Sequence, residues 1–425
     1  SAARLKSNLL NEAILDDGQA LYRVRDMKRK IDKVTNINIT VAQLREKIAA
    51  SGGNKNADSI DKAFLHTVKQ PKLAKQPRNI VLIVGESFGD WPFLPKYKDL
   101  GLVDNMLALK NASDAAHITT MLPNGSGTIS AVNSLVSGIP DMGLYENYQA
   151  NSFNGKYATG IGYIMKQLGY KTVFWYGGFS GWQNIGKFTK AQSFDEFHCA
   201  DEFSDNSGNA WGCSDAALFK QIEAYMSKEK EQEKVFHVVL TTSNHPPYTI
   251  DVDGMGFPRA QVNADIASDE KTLTELGHIW YADKTMGDFV KQAQSMYSDT
   301  LFVITGDHSE RFSFAKEQDT RTLSSIPCIF YGAGVQQAWF NDNAVGDHMQ
   351  LAGTLAEIVG PAGFTYAALQ SNIFDNQDVV FNHRLYAADG KIYTQSSDTD
   401  KKIIDYINSM RGVGAWRVLK GDAVK

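Results

Sequence analysis

The stretch Asn79-Ile80-Val81-Leu82-Ile83-Val84, followed by Gly85-Glu86-Ser87, decides the fold of this chain. An unbroken run of β-branched and aliphatic residues is typical of a strand in a parallel sheet that helices cover on both faces. Four later runs repeat this pattern, at 171–178, 235–245, 300–308 and 326–331, and helical stretches such as 160–168 and 279–293 lie between them. The alternation predicts an α/β fold with a largely parallel central sheet sandwiched by helices.

Polar residues follow three of these runs directly. They are Glu86, His245, and the adjacent pair Asp307 and His308. In open α/β sheets, ligands bind beyond the carboxyl ends of the strands, so we expect these side chains at one rim of the sheet. Each of them alone has a simpler explanation: a helix-capping acid, a loop histidine beside two prolines, or a hydrogen-bonded Asp-His pair.

A glycine-containing loop delivers a hydroxyl to the start of a helix. The loop is Pro123-Asn124-Gly125-Ser126-Gly127, and from Thr128 onward apolar residues recur at spacings of three and four. This period predicts an amphipathic helix, which Gly138 and Pro140 end. Taken alone, Thr128 is explained as a helix N-cap. A nucleophilic role requires a base or a metal, because a free threonine hydroxyl is a weak nucleophile near neutral pH.

Glu86, Asp307 and His308 together form an oxygen and nitrogen ligand set suited to Mn²⁺, Zn²⁺ or Mg²⁺, and Thr128 could complete it. A divalent ion would lower the pKa of the threonine hydroxyl and neutralise charge on a transferring phosphoryl group. The predicted chemistry is transfer through a covalent phosphothreonine, formed as one alcohol leaves and resolved as another alcohol or water attacks.

The chain divides into three predicted regions. Residues 1–76 read as a helical tether or wrap, 77–345 as the catalytic α/β domain, and 346–425 as a helix and a small α+β subdomain. In the last region, Asp389-Gly390 between two apolar stretches predicts a β-hairpin. A helix over 401–410 and a short strand around 415–419 are expected to close the chain.

Charge and composition exclude some classes of partner. The chain has 425 residues and a net charge of −5, so no basic excess points to nucleic acid. Its apolar runs are far shorter than the roughly 20 residues that cross a bilayer.

Cys199 and Cys213 could form a disulfide in an oxidising compartment or remain two free thiols, and Cys328 reads as a small buried hydrophobe. The sequence does not indicate the oligomeric state.

Six short motifs, in this order, carry a resemblance to a known family. They are Gly85-Glu86-Ser87, Gly127-Thr128-Ile129-Ser130-Ala131, Leu135-Val136-Ser137-Gly138-Ile139-Pro140, Ser243-Asn244-His245-Pro246-Pro247-Tyr248, Tyr281-Ala282-Asp283 and Gly306-Asp307-His308. Over residues 79 to about 360 the chain resembles the lipoteichoic acid synthase type of phosphoglycerol transferase, in the alkaline phosphatase and sulfatase superfamily. The resemblance implies a nucleophile at Thr128, metal ligands at Glu86, Thr128, Asp307 and His308, and a substrate-pocket histidine at His245. We expect one bound ion, Mn²⁺ first, with Zn²⁺ or Mg²⁺ as alternatives.

The resemblance also implies a reaction and a place. Glycerol phosphate would move from a phosphatidylglycerol-like phospholipid headgroup to a hydroxyl acceptor on the extracytoplasmic side of the cytoplasmic membrane. Members usually carry membrane-spanning helices ahead of the catalytic domain, so we expect an N-terminal anchor that brings this chain, itself a processed or excised portion, to the membrane surface. The alternatives are a phosphoethanolamine transferase, a phosphodiesterase, a sulfatase, or a non-catalytic relative that binds lipid or glycan.

A sulfatase of this superfamily needs a Cys or Ser within a Cys/Ser-x-Pro-x-Arg motif. Here Thr128 is followed by Ile129-Ser130-Ala131-Val132, so the chain lacks that nucleophile. The stretch 177–185 keeps Trp182 and Asn184 of the family's substrate cluster but has Ile185 where an arginine is expected. Loss of a bidentate phosphate contact is not a conservative change.

Trp182, Asn184 and His245 are therefore the expected substrate contacts, with Trp182 either a substrate wall or a core aromatic. His245 could bind phosphate or protonate a leaving alkoxide. Arg259 and Arg311 are candidates for further phosphate contacts that the sequence does not place. Asp347 and His348 could hold a second metal or could support the fold.

Overall fold

The computed structural model describes residue 25 and residues 38–204, 207–230, 232–309, 319–375 and 379–425. The helices are α1 Val41–Ala50, α2 Ile60–Ala63, α3 Asp104–Lys110, α4 Thr128–Ser137, α5 Asn151–Asn154, α6 Ile161–Gln167, α7 Ile185–Ala191, α8 Asp215–Met226, α9 Glu270–Met296, α10 Thr320–Ser324, α11 Gln350–Val359 and α12 Lys401–Lys420. Of the region 1–76 predicted as a helical tether or wrap, residues 1–24 and 26–37 lie outside the described ranges, and α1 begins after its N-cap Thr40.

The strands are β1 Leu65–Thr67, β2 Asn79–Gly85, β3 Ala115–His117, β4 Thr120–Leu122, β5 Lys171–Tyr176, β6 Glu196–Cys199, β7 Gly208–Asn209, β8 Gly212–Cys213, β9 Val235–Leu240, β10 Thr300–Gly306, β11 Cys328–Gly332, β12 Val345–Asp347, β13 Thr365–Ala367, β14 Val380–Phe381, β15 Leu385–Ala388 and β16 Lys391–Thr394. Each of the five apolar runs in the sequence forms a strand of one sheet.

That sheet has seven strands in the order β3-β11-β10-β2-β9-β5-β6. The five strands from β10 to β6 are parallel, and β11 runs antiparallel to both β10 and β3. The predicted fold class, an α/β fold with a largely parallel central sheet, is confirmed. Because β2 lies between β10 and β9, the three chain segments that follow these strands emerge side by side.

Side chains of β2 alternate between two separate cores. Ile80, Leu82 and Val84 pack into the core that includes α4, α6 and α11, whereas Val81 and Ile83 pack into the core that includes α8 and α9. All five are at most 2% exposed. Burial on both faces explains why the strand is apolar throughout rather than alternating with polar residues.

The C-terminal region forms a separate small sheet, β14-β15-β16. The predicted hairpin is present: Asp389 and Gly390 both have positive φ, 49° and 71°, as a two-residue turn between antiparallel strands requires. The short strand expected around 415–419 is wrong, because α12 continues through Lys420. Val413, Trp416 and Val418 pack into the core on this helix, so tertiary burial overrides local strand propensity.

The three cysteines, Cys199, Cys213 and Cys328, are buried free thiols. Of the two alternatives for Cys199 and Cys213, the structure therefore shows thiols, and Cys328 lies in the core as expected. None of the described helices combines the length and the hydrophobicity needed to span a membrane. The division into regions at 76 and 345 stays a prediction.

We expect Gly138→Ala to destabilise the fold. Gly138 ends α4 with φ of 70°, and a Cβ there would lie 2.4 Å from the Thr159 carbonyl oxygen. The left-handed backbone and this contact together cost at least about 2 kcal/mol of unfolding free energy, measurable in urea. Gly155→Ala is the matched control, since its φ is −168° and no atom lies within 4 Å of the added Cβ. Equal stability of the two variants would contradict this account.

Candidate active site

The ends of β2 and β10 bring two carboxylates and an imidazole together. One ligand atom from each of Glu86, Asp307 and His308 lies within 4.8 Å of the others. His308 Nε2 is 3.8 Å from Glu86 Oε1 and 3.5 Å from Asp307 Oδ2. All three side chains are buried. Two carboxylate oxygens and one imidazole nitrogen at this spacing fit one divalent cation, and this group could hold a metal ion.

Thr128 joins this cluster through its hydroxyl. Its Oγ1 donates a hydrogen bond to Glu86 Oε2 at 3.2 Å, and the residue remains partly exposed. The N-cap of α4 is Gly127, and no side chain caps this helix. Thr128 is the first helical residue, so the structure rules out the N-cap explanation. The hydroxyl lies where the helix dipole and the first backbone N–H groups favour an anion.

The turn after β2 fixes the Glu86 carboxylate. Ser87 Oγ donates to Glu86 Oε1 at 2.8 Å, and the Ser87 backbone N–H donates to Asp307 Oδ1 at 2.7 Å. The His308 backbone N–H donates to the same Asp307 oxygen, also at 2.7 Å. Ser87 has φ of 51°, an uncommon conformation for a residue other than glycine. Such local strain persists only where surrounding contacts hold it.

Those contacts come from the segment after β9. Thr241 Oγ1 accepts a hydrogen bond from the Glu86 N–H at 3.0 Å. Asn244 Nδ2 donates to the carbonyl oxygens of Glu86 and Ser87, at 3.1 and 3.3 Å. Asp215, at the start of α8, accepts from the backbone N–H groups of residues 242 and 243. Side chains of this segment therefore hold the peptide groups of the turn after β2, and neither Thr241 nor Asn244 is a candidate metal ligand.

Asp347 and His348 lie against the loop that leads to Thr128. His348 Nε2 donates to the Gly306 carbonyl oxygen at 2.9 Å, and its Nδ1 accepts from the Asn124 N–H at 3.3 Å. Burial lowers the pKa of His348 to about 4, so the ring is neutral, as an accepting Nδ1 requires. Burial raises the pKa of Asp347 to about 7. With both ring nitrogens of His348 bonded to backbone, this pair ties the Thr128 loop to the end of β10.

The expected substrate contacts lie on two loops at the same rim. His245 Nδ1 donates to the Pro246 carbonyl oxygen at 2.6 Å, and its ring centroid is 4.3 Å from that of Trp211. Trp182 is half-buried against Tyr176, with ring centroids 5.5 Å apart. Asn184 Nδ2 donates to the Asn147 carbonyl oxygen at 2.9 Å. Part of the Asn184 amide is therefore used within the protein.

The other candidates from the sequence take no part in this cluster. Ile185 is fully buried, so its position offers no polar group to a phosphate. Arg259 forms ion pairs with Asp253 and Glu270, both at 2.7 Å. Arg311 lies outside the described residues.

Sequence reasoning missed Tyr176 and Asn147. Tyr176 ends β5; burial, followed by the charges of Glu86 and Asp307, raises its pKa well above the usual value, so it is a neutral phenol beside the cluster. Asn147 accepts from Asn133 of α4 at 2.9 Å and donates to the Gln183 carbonyl oxygen. It thus ties α4 to the Trp182–Asn184 turn. The position of Tyr176 at a strand end was a usable signal, whereas nothing local marked Asn147.

Comparison with known proteins identifies a family. The sequence model of the family described as Sulfatase matches residues 78–361. A curated relative, phosphoglycerol transferase I of Salmonella paratyphi B, is 26% identical over 278 residues, which cover 61% of this chain and 34% of that protein. The chain therefore spans about a third of the length of this relative. These matches confirm the family resemblance drawn from the motifs.

Solved structures share the fold. A protein of the alkaline phosphatase superfamily from Vibrio parahaemolyticus has a TM-score of 0.67 and 18% identity, covering 90% of this chain and 96% of the other. The lipoteichoic acid synthase LtaP from Listeria monocytogenes has a TM-score of 0.64 and 15% identity, covering 88% and 96%. At these identities the likeness establishes the architecture alone.

We expect Asn244→Ala to weaken Mn²⁺ binding. The substitution removes both hydrogen bonds to the carbonyl groups of Glu86 and Ser87 and leaves the three candidate ligands in place. Loss of a supporting contact of this kind typically costs 10- to 100-fold in metal affinity, measurable by calorimetry or by the electron paramagnetic resonance of Mn²⁺. Asn372→Ala is the control: this buried amide donates to Asp375 and Tyr366, at a distant site. Unchanged affinity in Asn244→Ala would contradict the positioning role.

Proposed function

Because this chain belongs to the sulfatase family, we propose that it is a metal-dependent phosphoglycerol transferase with Thr128 as nucleophile. The donor is the headgroup of a phosphatidylglycerol-like phospholipid, and the acceptor is a hydroxyl group. The names of its relatives, a phosphoglycerol transferase and a lipoteichoic acid synthase, support the choice of substrate. The missing Cys/Ser-x-Pro-x-Arg motif argues against sulfate ester hydrolysis.

One observation carries the proposal: the hydrogen bond between Thr128 Oγ1 and Glu86 Oε2, beside Asp307 and His308. It brings an otherwise unreactive hydroxyl at the start of a helix into contact with a carboxylate that is a candidate metal ligand. A divalent ion bound by Glu86, Asp307 and His308 would supply Lewis acidity, lowering the pKa of the hydroxyl and offsetting charge on phosphorus. We expect Mn²⁺, with Zn²⁺ or Mg²⁺ as alternatives.

Two displacements at phosphorus complete the reaction. In the first, Thr128 Oγ1 loses its proton to solvent and forms a bond to phosphorus, the bond from phosphorus to the diacylglycerol oxygen breaks, and that oxygen takes a proton from His245. In the second, the acceptor hydroxyl loses its proton to His245 and bonds to the same phosphorus, the bond from phosphorus to Thr128 Oγ1 breaks, and Oγ1 takes a proton from solvent. Each step conserves the phosphodiester charge, and water in place of the acceptor would give hydrolysis.

His245 is the proposed proton carrier for both steps. Its Nδ1 donates to the Pro246 carbonyl oxygen, and Nε2 is the nitrogen proposed to exchange a proton with substrate. The same group would protonate the departing diacylglycerol oxygen and then accept the proton of the acceptor hydroxyl. Trp182 and Asn184 would contact the glycerol, with the Asn184 carbonyl oxygen as acceptor, because its Nδ2 is bonded to Asn147.

The proposed place of the reaction is the extracytoplasmic face of the cytoplasmic membrane. Phospholipid headgroups are reached only at a membrane surface, and an N-terminal anchor ahead of this chain would hold the catalytic domain there. The partners in this proposal are the lipid donor and the hydroxyl acceptor.

We expect Thr128→Ala to reduce release of glycerol phosphate from phosphatidylglycerol by at least about 10³-fold, because it removes the nucleophile. The assay follows a radiolabelled headgroup, and in wild-type protein the label should be trapped on Thr128 when the acceptor is omitted. Ser130→Ala is the matched control, since it removes a hydroxyl from the same first turn of α4. Turnover by Thr128→Ala at the wild-type rate would exclude this mechanism.

We expect an anomalous scattering peak between Glu86, Thr128, Asp307 and His308 in crystals soaked with Mn²⁺. Chelation should abolish turnover, and added Mn²⁺ should restore it, because the ligand set has no other charge to offset that of the transferring phosphate. The energy dependence of the peak identifies the ion. A fully active protein without a divalent ion, or a peak elsewhere, would contradict the proposed ligand set.

A further inference from the structure

A basic and aromatic surface lies beside the proposed substrate turn. We define it by Tyr148, Phe153, Lys156, Lys187 and Lys190, all exposed residues, and call it the α5–α7 face. Tyr148, Lys187 and Lys190 line one open cavity of about 680 Å³, which Asn184 of the substrate turn also lines. Phe153 on α5 meets Phe188 on α7 edge to face, with centroids 6.5 Å apart.

The charge of this region departs from that of the chain. Residues 147–194 contain five lysines and no Asp or Glu, in a chain whose net charge is −5. Two of these lysines are paired: Lys166 with Asp195, and Lys171 with Glu196. Among the residues that the structure describes, no Asp or Glu forms an ion pair with Lys156, Lys187 or Lys190. All three residues are exposed, and the Lys156 ammonium lies 4.7 Å from the centroid of the Tyr163 ring.

Two acids, Asp201 and Glu202, also line the cavity and are engaged with protein groups. Asp201 accepts hydrogen bonds from the Ser180 N–H and hydroxyl, at 2.8 and 2.6 Å. Glu202 lies 2.7 Å from His198 Nδ1. Among the described residues that line the cavity, Lys187 and Lys190 are therefore the charged side chains without a hydrogen-bond or ion-pair partner.

Five large apolar side chains are exposed among the residues that the structure describes, and two of them are on this face. Tyr148 is 45% exposed and Phe153 38% exposed. Aromatic side chains beside lysines are characteristic of surfaces that meet a bilayer, because the rings enter the interface and the lysine stems cover apolar surface while their charges reach the phosphates.

We propose that the α5–α7 face docks on an anionic phospholipid bilayer. The choice of a lipid partner rests on the proposed function, since a lipid donor must reach the Trp182–Asn184 turn, and this face adjoins that turn. Docking here would place the headgroups next to the substrate turn. The charge and the two rings select an anionic bilayer over a neutral one.

The test is co-sedimentation of the chain with phosphatidylcholine vesicles, with and without about 30% phosphatidylserine, an anionic lipid that is not the proposed donor. The triple variant Lys156→Gln, Lys187→Gln and Lys190→Gln should bind the anionic vesicles roughly 100-fold more weakly, at about fivefold for each lysine. Raising NaCl from about 0.1 M to 1 M should weaken the wild type similarly. The matched control is Lys228→Gln, Lys230→Gln and Lys391→Gln, three exposed lysines elsewhere, which should keep wild-type binding.

Three outcomes would overturn docking: equal wild-type binding to both vesicle types, equal losses in the two triple variants, or full binding by Tyr148→Ser with Phe153→Ser. The last result would show that the rings do not enter the bilayer and that attraction of the lysines to the surface charge alone explains the binding. Cleavage of a water-soluble glycerophosphodiester without acyl chains tests the proposed function separately from bilayer docking. The lysine variant should cleave it at the wild-type rate, whereas failure of the wild type to cleave it would count against the transferase and leave the vesicle result intact.

Discussion

The structure depends on one constraint, the burial of two carboxylates of like charge beside each other. They are Glu86 and Asp307, and both lie close to the same imidazole, that of His308. Burying such a pair costs several kcal/mol per ion unless opposite charge and hydrogen bonds offset it. Ser87 and the backbone N–H of His308 offset part of this cost, and a divalent cation would offset most of the rest. The same arrangement makes the site a candidate metal centre and requires the surrounding contacts to fix the positions of both carboxylates.

The surroundings of the site follow from that requirement. Hydrogen bonds to peptide groups, rather than further charges, connect the segments around the site. They join the segment after β9 to the turn after β2, and the end of β10 to the loop before α4. Asn244 holds the turn after β2, and His348 joins the end of β10 to the loop that carries Thr128. Neutral supports of this kind position the ligands without adding charge that would compete with a bound cation.

The conformation of the Trp182–Asn184 turn is less evident from local sequence than the positions of the candidate metal ligands are. Gln183 and Asn184 both have positive φ, and Asn147 holds that turn against α4. Ile185 at a position where an arginine was expected is buried, so phosphate recognition by a guanidinium is absent from that position. Lys187 and Lys190 lie two and five residues further along α7 and are exposed, which suits a surface partner.

The sequence by itself determined five strands of the central sheet, the helix that begins at Thr128, and the identity of Glu86, Asp307 and His308 as candidate ligands. These features are local: periodicity, turn residues and strand-end positions are legible within a few residues. The tertiary structure decided that β10, β2 and β9 are neighbours, that β11 is reversed, and that residues 415–419 stay helical. It also decided that Asn244, Asn147 and His348 support the site. These outcomes depend on contacts between residues far apart in the chain, and a hydrogen bond to a distant peptide group leaves no periodic trace in the sequence.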